Sequence, residues 1–366
     1  MKIKSNFSNV IIAAGGTGGH IFPGISLAEI LLKEGISVFW IGTTRGLEKK
    51  IVPKYKIPLF YLNFGGVRGK SLKQIFLLPF NLSKAIFDSL LILNKIKPNF
   101  LICCGGYITV PIGISAKIMG IPFCIHEQNA VMGTANRLLS KLTKDVFINF
   151  PDTKYAPKKS KALGNPLRSC FYFTLNPKER LVNREGPFRI LILGGSQGAS
   201  FLNNIIPNVI NDANDKKNIF SVIHQTGETE KENVKSLYEK LGLKAEVKSF
   251  FSNIIEEYSW ADLIISRSGA GVISEIATVG VASILIPLPN SIDNHQLENA
   301  KSLEKIGAAY VLEQNEYLVS KLVDILKKLD RHKLVNMSNK AILLGSSSSA
   351  KKIVNELKIL KNGTSF

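Results

Sequence analysis

Cysteine is scarce in this chain of 366 residues, with only Cys103, Cys104, Cys124 and Cys170. No CxxC pair occurs and the adjacent Cys103 and Cys104 lack metal-ligand spacing, so a disulfide framework or thiolate metal site is excluded in favour of reduced thiols. Histidine is almost as rare, and neither His126 nor His224 has a second ligand at zinc spacing. No Asp-x-Asp pair follows an apolar run, which leaves a divalent cation without its carboxylates and predicts chemistry that needs no metal or cofactor. Long apolar stretches are missing too: none approaches the ~18 residues of a membrane span. The N-terminal MKIKSNFSNVIIAAGG has a basic start, but its short apolar run ends in glycines, as a first β-strand does and a signal peptide does not.

Acidic residues are outnumbered, 28 against 47 Lys and Arg, for a net charge of +19. Lysine dominates and Asn and Ile are abundant, so the excess has two readings, an A/T-rich coding sequence or an anionic partner. No zinc finger, helix-turn-helix or aromatic-plus-basic RNA motif accompanies it, which favours an anionic membrane face over nucleic acid. With 45% hydrophobic residues the chain is globular, and its length suffices for two domains with separate cores.

Apolar runs at 8–14, 37–42, 100–104, 121–125 and 145–149 alternate with helical patterns at 21–34, 80–96, 109–119 and 131–142. This is the signature of a parallel α/β sheet. A polar, Pro- and Lys-rich stretch from 151 to 187 contains Gly164-Asn165-Pro166, a hinge signal. Strand-like runs resume at 188–193, 219–223, 245–250, 262–266 and 282–287, and the tail from Leu318 to Leu360 is helical. The division expected is 1–165 and 166–344, with a last helix at about 345–366 returning to the first domain.

Ligands of open α/β sheets bind beyond the carboxyl ends of the strands. Two glycine turns occupy that position, Gly15-Gly16-Thr17-Gly18-Gly19 and Gly194-Gly195-Ser196-Gln197-Gly198, each offering bare N–H groups to a phosphate at a helix start. Together they predict a cleft for one phosphorylated ligand. His20 follows the first turn, where a helix N-terminus disfavours the imidazolium and leaves a neutral general base. An isolated histidine there would hold the loop, but its place behind GGTGG at the cleft favours the base. His126 ends an apolar run and is read as packing or positioning its neighbours.

In the second half, Ser266-Arg267-Ser268-Gly269-Ala270-Gly271-Val272-Ile273-Ser274-Glu275 runs from a strand into a helix suited to a diphosphate. Glu275 is either a ligand of a ribose diol or a solvated carboxylate. Asp293 or Asn294 caps the helix that follows the loop after Pro287, and Gln296 in its first turn is a candidate reader of sugar hydroxyls. Ser196 and Arg168 are candidates for the departing diphosphate. The parts of a hydrolase triad do not surround Ser196 in order, and neither glycine turn fits the GxGxxG of a nicotinamide enzyme.

These segments together resemble one family, the bacterial N-acetylglucosaminyltransferases that convert lipid I to lipid II in peptidoglycan synthesis. The resemblance spans nearly the whole chain. It is carried by GGTGGHIFPGISLA (15–28), GGYITVP (105–111), HEQNAVMGTANRLLSK (126–141), GNPLR (164–168), GGSQGA (194–199), WADLIISRSGAGVISEIA (260–277) and DNHQLENA (293–300). It implies the GT-B fold, two Rossmann-like domains flanking a cleft. It also implies inverting transfer of GlcNAc from UDP-GlcNAc to the C4 hydroxyl of MurNAc-pentapeptide-pyrophosphoryl-undecaprenol. The substrate-site positions it implies are Thr17, Gly18, Gly19, Asn129, Arg168, Ser196, Phe251, Ala270, Gly271, Val272, Ile273, Ser274, Glu275 and Gln296, with His20 as base. Two departures stand out: Gly271-Val272 replaces the family's usual Leu-Thr, and Phe251 replaces an Ile whose backbone meets uracil. Partners implied are the donor, the lipid acceptor and proteins of cell-wall synthesis and division, at the cytoplasmic face of the inner membrane. A glycolipid transferase or UDP-GlcNAc 2-epimerase of the same build is the enzymatic alternative; a non-catalytic nucleotide-binding protein is the other.

A membrane contact is also readable in residues. Lys70, Lys73, Lys84, Lys95 and Lys97 surround an apolar segment, Ile75–Phe80, and a helix carrying Leu82, Ile86, Phe87 and Leu90. Lysines around exposed apolar groups suit an anionic bilayer surface. Most of that helix is expected to pack inward, leaving Ile75–Phe80 as the contact.

Overall fold

The computed structural model describes residues 8–66, 76–194, 199–214, 219–346 and 348–363. The chain forms two compact units, Met1–Arg168 with Ser348–Phe366, and Ser169–Ser347.

Among its described residues the first unit has a parallel sheet of seven strands. These are β1 (Asn9–Ala14), β2 (Ser37–Gly42), β3 (Leu59–Tyr61), β4 (Phe100–Gly105), β5 (Phe123–Glu127), β6 (Val146–Ile148) and β7 (Lys161–Ala162), in the order 3-2-1-4-5-6-7. Order reverses beside β1, and the loops after β1 and β4 meet at that switch point, where open α/β sheets bind ligands. Strands β1 and β4 are buried on both faces, which is why they read as unbroken apolar runs. β3, β7 and the later β13 (Ala309–Val311) were not anticipated; none exceeds three residues, too short for a period to show. β7 falls inside the polar stretch that carries the hinge signal, as does the helix Pro177–Leu181.

The helix Gly18–Lys33 covers one face of this sheet, and its Gly24 lets Trp40 come so close that a Cβ would lie 2.6 Å from the indole. The indole N–H is satisfied by the Ala14 carbonyl at 3.0 Å. The helix Ser349–Gly363 packs on Gly18–Lys33 and completes the same core with Ile353, Val354 and Leu357, all fully buried. Each such side chain contributes roughly 1.5–3 kcal/mol. Ion pairs Lys358–Glu34 and Lys161–Glu356 border this contact. The thiols of Cys103, Cys104 and Cys124 are buried in the sheet layer, and burial pushes Cys104 up to about 12, so they behave as small apolar groups.

The second unit has, among its described residues, a parallel sheet of six strands: β8 (Phe188–Leu193), β9 (Phe220–Gln225), β10 (Ala245–Lys248), β11 (Leu263–Ser266), β12 (Ala282–Leu285) and β13. Their order is 10-9-8-11-12-13. The switch point now lies between β8 and β11, whose carboxyl ends pair side by side at Leu193 and Ser266. Arg184 and Arg331 both pair with the buried Asp262 that opens β11, at 2.8 and 3.4 Å.

His224 in β9 is fully buried between the Tyr238 hydroxyl and Asn203 Oδ1, 3.1 Å from each. Burial lowers it from an ordinary 6.5 to about 3. The folded state therefore keeps the ring neutral while the unfolded chain takes up a proton below pH 6.5. Stability is complete above that pH and is lost as pH falls towards about 3, by up to about 4 kcal/mol. Urea midpoints should drop between pH 7 and 4.5, and His224→Gln should flatten that slope; an unchanged slope in the variant contradicts the assignment.

Candidate active site

In the first unit the chain leaves β1 through Gly15, Gly16 and Thr17. Gly16 is at φ +98, a left-handed conformation that glycine takes without strain. Thr17 is the extended N-cap residue of Gly18–Lys33, and its side chain makes no capping bond. The first-turn N–H groups of Gly18 and Gly19 thus have no intrahelical acceptor and no side-chain cap, as a phosphate or sugar cradle requires. A buried carboxylate fixes the turn from behind: Glu48 accepts from the Gly16 N–H at 3.1 Å and from the Thr43 N–H and hydroxyl at 2.6 and 2.7 Å. Nothing in the sequence pattern singled out Glu48.

His20 is half-buried, with Nδ1 3.3 Å from the Gly15 carbonyl. That contact puts the proton on Nδ1 and the lone pair on Nε2, the tautomer a general base needs. The ring lies against the turn after β4. Gly105 is at φ +112, and a Cβ there would fall 2.7 Å from His20 Cδ2; Gly106 is at φ +88, and its Cβ would fall 2.6 Å from the Gly15 carbonyl. Two bare backbone turns therefore touch, and the imidazole is seated between them.

The end of β5 supports this from the side. His126 is fully buried, Nε2 donating to the Gly164 carbonyl at 3.0 Å and Nδ1 accepting from Gln128 at 3.1 Å, and burial lowers its pKa. It positions its neighbours, as expected from its place in the strand. Gln128 also donates to the Cys104 carbonyl at 2.6 Å, tying β5 to the turn under His20. Glu127 is buried and accepts from the Asn129 N–H and amide (3.0 and 3.2 Å), the Gly133 N–H (2.9 Å) and the Asn136 amide (2.9 Å). This carboxylate shapes the loop that presents Asn129. Arg168 lies over the Phe22 ring, 5.0 Å from its centroid.

In the second unit, Gly194 ends β8 with its N–H on the Gln225 carbonyl at 2.9 Å; Gly195 to Gly198, Ser196 among them, lie outside the described residues. After β11 the helix Ala270–Val279 starts at Gly269, with no acidic residue in its first turn and no side-chain cap. A Cβ on Gly269 or Gly271 would meet nothing within 4 Å, so the N-terminal face is open. Ala270 and Ile273 are buried, while Gly271, Val272 and Ser274 are half-exposed; the Ser274 hydroxyl donates to the Ala270 carbonyl at 2.8 Å. The larger residue usual at 271 in the resembled family would have room here.

Glu275 is half-buried and accepts from the Tyr258 hydroxyl at 2.7 Å, so it is not a freely solvated carboxylate. Arg267 turns inward, donating to the carbonyls of Ile286 and Pro287 (3.2 and 3.1 Å) and to Gln314 (2.9 Å), and burial lowers its pKa. It fixes the loop after β12. Gln296 accepts the Leu288 N–H on Oε1 at 3.0 Å, which orients its amide. The expected cap at 293 or 294 takes a different form: Asn294 is the N-cap residue but at φ 53, next to Asp293 at φ 52, and its side chain makes no capping bond. Phe251 is a buried ring with the Lys248 ammonium 5.6 Å from its centroid. Among the described residues no three His, Cys, Asp or Glu side chains gather as a metal-ligand group.

The chain matches the glycosyltransferase family 28 N-terminal domain over residues 10–148 and the family 28 C-terminal domain over 189–357. It is 42% identical over 361 residues to the UDP-N-acetylglucosamine--N-acetylmuramyl-(pentapeptide) pyrophosphoryl-undecaprenol N-acetylglucosamine transferase of Wigglesworthia glossinidia brevipalpis. That alignment covers 97% of this chain and 98% of the relative. The crystal structure of Acinetobacter baumannii MurG superposes with a TM-score of 0.83 at 33% identity, covering 95% of this chain and 99% of that one. A Neisseria meningitidis UDP-GlcNAc 2-epimerase bound to UDP-GlcNAc shares the fold alone, with a TM-score of 0.63 and 17% identity over 96% of this chain and 100% of that one.

Proposed function

The chain belongs to glycosyltransferase family 28, among its N-acetylglucosaminyltransferases of GT-B fold, and on that premise we propose that it makes lipid II from lipid I and UDP-GlcNAc. In this reaction the C4 hydroxyl oxygen of the lipid-linked MurNAc attacks C1 of GlcNAc from the face opposite UDP. The C4–O–C1 bond forms, the C1–O bond to the β-phosphate breaks, and the configuration at C1 inverts. The hydroxyl proton passes to Nε2 of His20, and UDP leaves with the electron pair of the broken bond.

The observation that carries this reading is the seating of His20, proton on Nδ1, between the turns after β1 and β4. Most donor contacts fall to the second unit. The open start of Ala270–Val279 takes the diphosphate on its N–H groups, where a helix N-terminus stabilises negative charge developing on UDP. Glu275 accepts from the ribose diol, Gln296 reads sugar hydroxyls, and the backbone at Phe251 meets uracil. Thr17, Gly18, Gly19 and Asn129 add the first unit's contacts to the donor, Arg168 offsets the charge on the diphosphate, and Ser196 donates a hydrogen bond to it. The test is UDP release from UDP-GlcNAc with and without a lipid I analogue. Release that depends on the analogue is expected; equal release without it, with free sugar as product, would assign epimerase-type chemistry instead.

Among the described residues no helix is long and apolar enough to cross a membrane. The reading we favour is a peripheral protein at the cytoplasmic face of the inner membrane. The helix Leu78–Ile96 supports it. This helix buries Ala85, Ser89, Leu93 and Ile96 but exposes Phe80, Phe87 and Leu91, alongside Phe76 and Leu77. The exposed stripe runs from Phe80 to Leu91, about 16 Å at 1.5 Å per residue, so more of the helix faces outward than the sequence led us to expect. Lys84 and Lys95 are exposed on it; Lys70, Lys73 and Ile75 lie outside the described residues. Co-sedimentation with phosphatidylglycerol vesicles should fall severalfold in a Phe80→Ser/Phe87→Ser variant. Equal binding by variant and wild type would remove this surface from consideration.

A further inference from the structure

Glu275 is the sixth residue of Ala270–Val279, past the four orphan N–H groups of the helix start, so the helix terminus does not hold its carboxylate. Tyr258 does. The helix Ile254–Trp260 delivers Tyr258 into the interior, where its side chain has no exposed surface and its ring meets Phe171 edge to face, centroids 5.5 Å apart at 85°. Its backbone is fixed as well. The Arg180 guanidinium gathers the carbonyls of Tyr258, Ser259, Ala261 and Gly280 at 3.4, 3.4, 3.0 and 2.5 Å. One polar atom leaves this apolar and backbone frame, the phenolic oxygen, and it reaches Glu275 Oε2 at 2.7 Å.

An unrestrained glutamate on a half-exposed helix face samples several rotamers, each placing the carboxylate elsewhere. A charge-assisted O–H···O⁻ bond from an immobile phenol selects one of them before any ligand arrives. We propose that Tyr258 is a positioning residue for the donor: its hydroxyl aims the Glu275 carboxylate at the vicinal diol of a nucleoside diphosphate's ribose. The inference rests on Glu275 being the ribose ligand. A carboxylate offers about four lone-pair positions, of which the phenol takes one and a diol's two O–H groups take two more. A ribose lacking those hydroxyls leaves the aimed carboxylate without its donors, so the arrangement discriminates by what the ligand donates.

The test is calorimetric titration of UDP and of 2′,3′-dideoxy-UDP into wild type, Tyr258→Phe and Glu275→Gln. Wild type should prefer UDP by about tenfold or more, the worth of a hydrogen bond to a charged group. Tyr258→Phe keeps the ring and its Phe171 contact. Its preference should fall to about threefold with dideoxy-UDP affinity unchanged, and KM for UDP-GlcNAc should rise several-fold at nearly constant kcat. If Tyr258→Phe keeps the full preference while Glu275→Gln loses it, Tyr258 plays no positioning part although Glu275 still reads ribose. Equal weakening of both ligands in Tyr258→Phe would overturn the inference too, as the mark of a merely structural residue. No preference in wild type would remove the ribose reading, and this inference with it.

Discussion

His20→Ala should lower acceptor-dependent UDP release by a factor of about 10²–10⁴, the range general-base catalysis supplies. UDP affinity should stay within about twofold, because His20 is proposed to take the acceptor's proton and not to hold the nucleotide. The expectation rests on two features of the histidine's seat. The Gly15 carbonyl assigns the proton to Nδ1, and the bare face of Gly105 leaves room for the ring. Glutamine at 20 keeps some of the shape but has no basic nitrogen, so it should be as slow as alanine. Near-normal rates in either variant, measured with saturating acceptor, would reduce His20 to a loop-holding residue.

A loss of comparable severity, of stability this time, is expected from Glu127→Ala. The carboxylate is 2% exposed and accepts four hydrogen bonds from the loop 129–136. Removing it takes the acceptor from two backbone N–H groups and two side-chain amides, those of Asn129 and Gly133 half-exposed and that of Asn136 buried, each costing about 1–3 kcal/mol where water cannot replace the acceptor. Partial relaxation leaves roughly 4 kcal/mol, about a 10 °C fall in melting temperature for a unit of this size. Glu127→Gln preserves the shape and half of the acceptors and should lie between. A melting temperature for the alanine variant within about two degrees of wild type would show that the loop finds other partners. Transfer should fall alongside, since Asn129 is held by the same carboxylate.

The parallel sheets were legible in the sequence because strands buried on both faces are long apolar runs, and β1, β4 and β8 each run into a glycine turn. The short strands β3, β7 and β13 were not, since three residues or fewer carry no period and β7 is exposed along its whole length. The candidate site shows the same division. Glycines, His20 and the HEQN segment announce themselves locally, through residue types that suit a strand–helix turn. Glu48, Tyr258 and Arg180 do not, because the partners that tie them to the site are 32, 17 and up to 100 residues away. A buried carboxylate, phenol or guanidinium looks like any other until the fold brings its partner to it. Lys84 and Phe87 were legible as types but not in aspect: an apolar helix with two stripes gives no sign of which one faces inward.

The contact between Gly105, Gly106 and the turn at Gly15 bears on how this protein can be altered. Every single-nucleotide missense change in a glycine codon adds at least a methyl group, and here the first methyl already meets the imidazole at one position and a carbonyl oxygen at the other. Both positions also hold a left-handed backbone. A randomised library should therefore lose these two sites at the first round of selection, whatever residue is offered. Diversity aimed at this unit's candidate site is better spent on Asn129 and its loop neighbours, where side chains already exist to be exchanged.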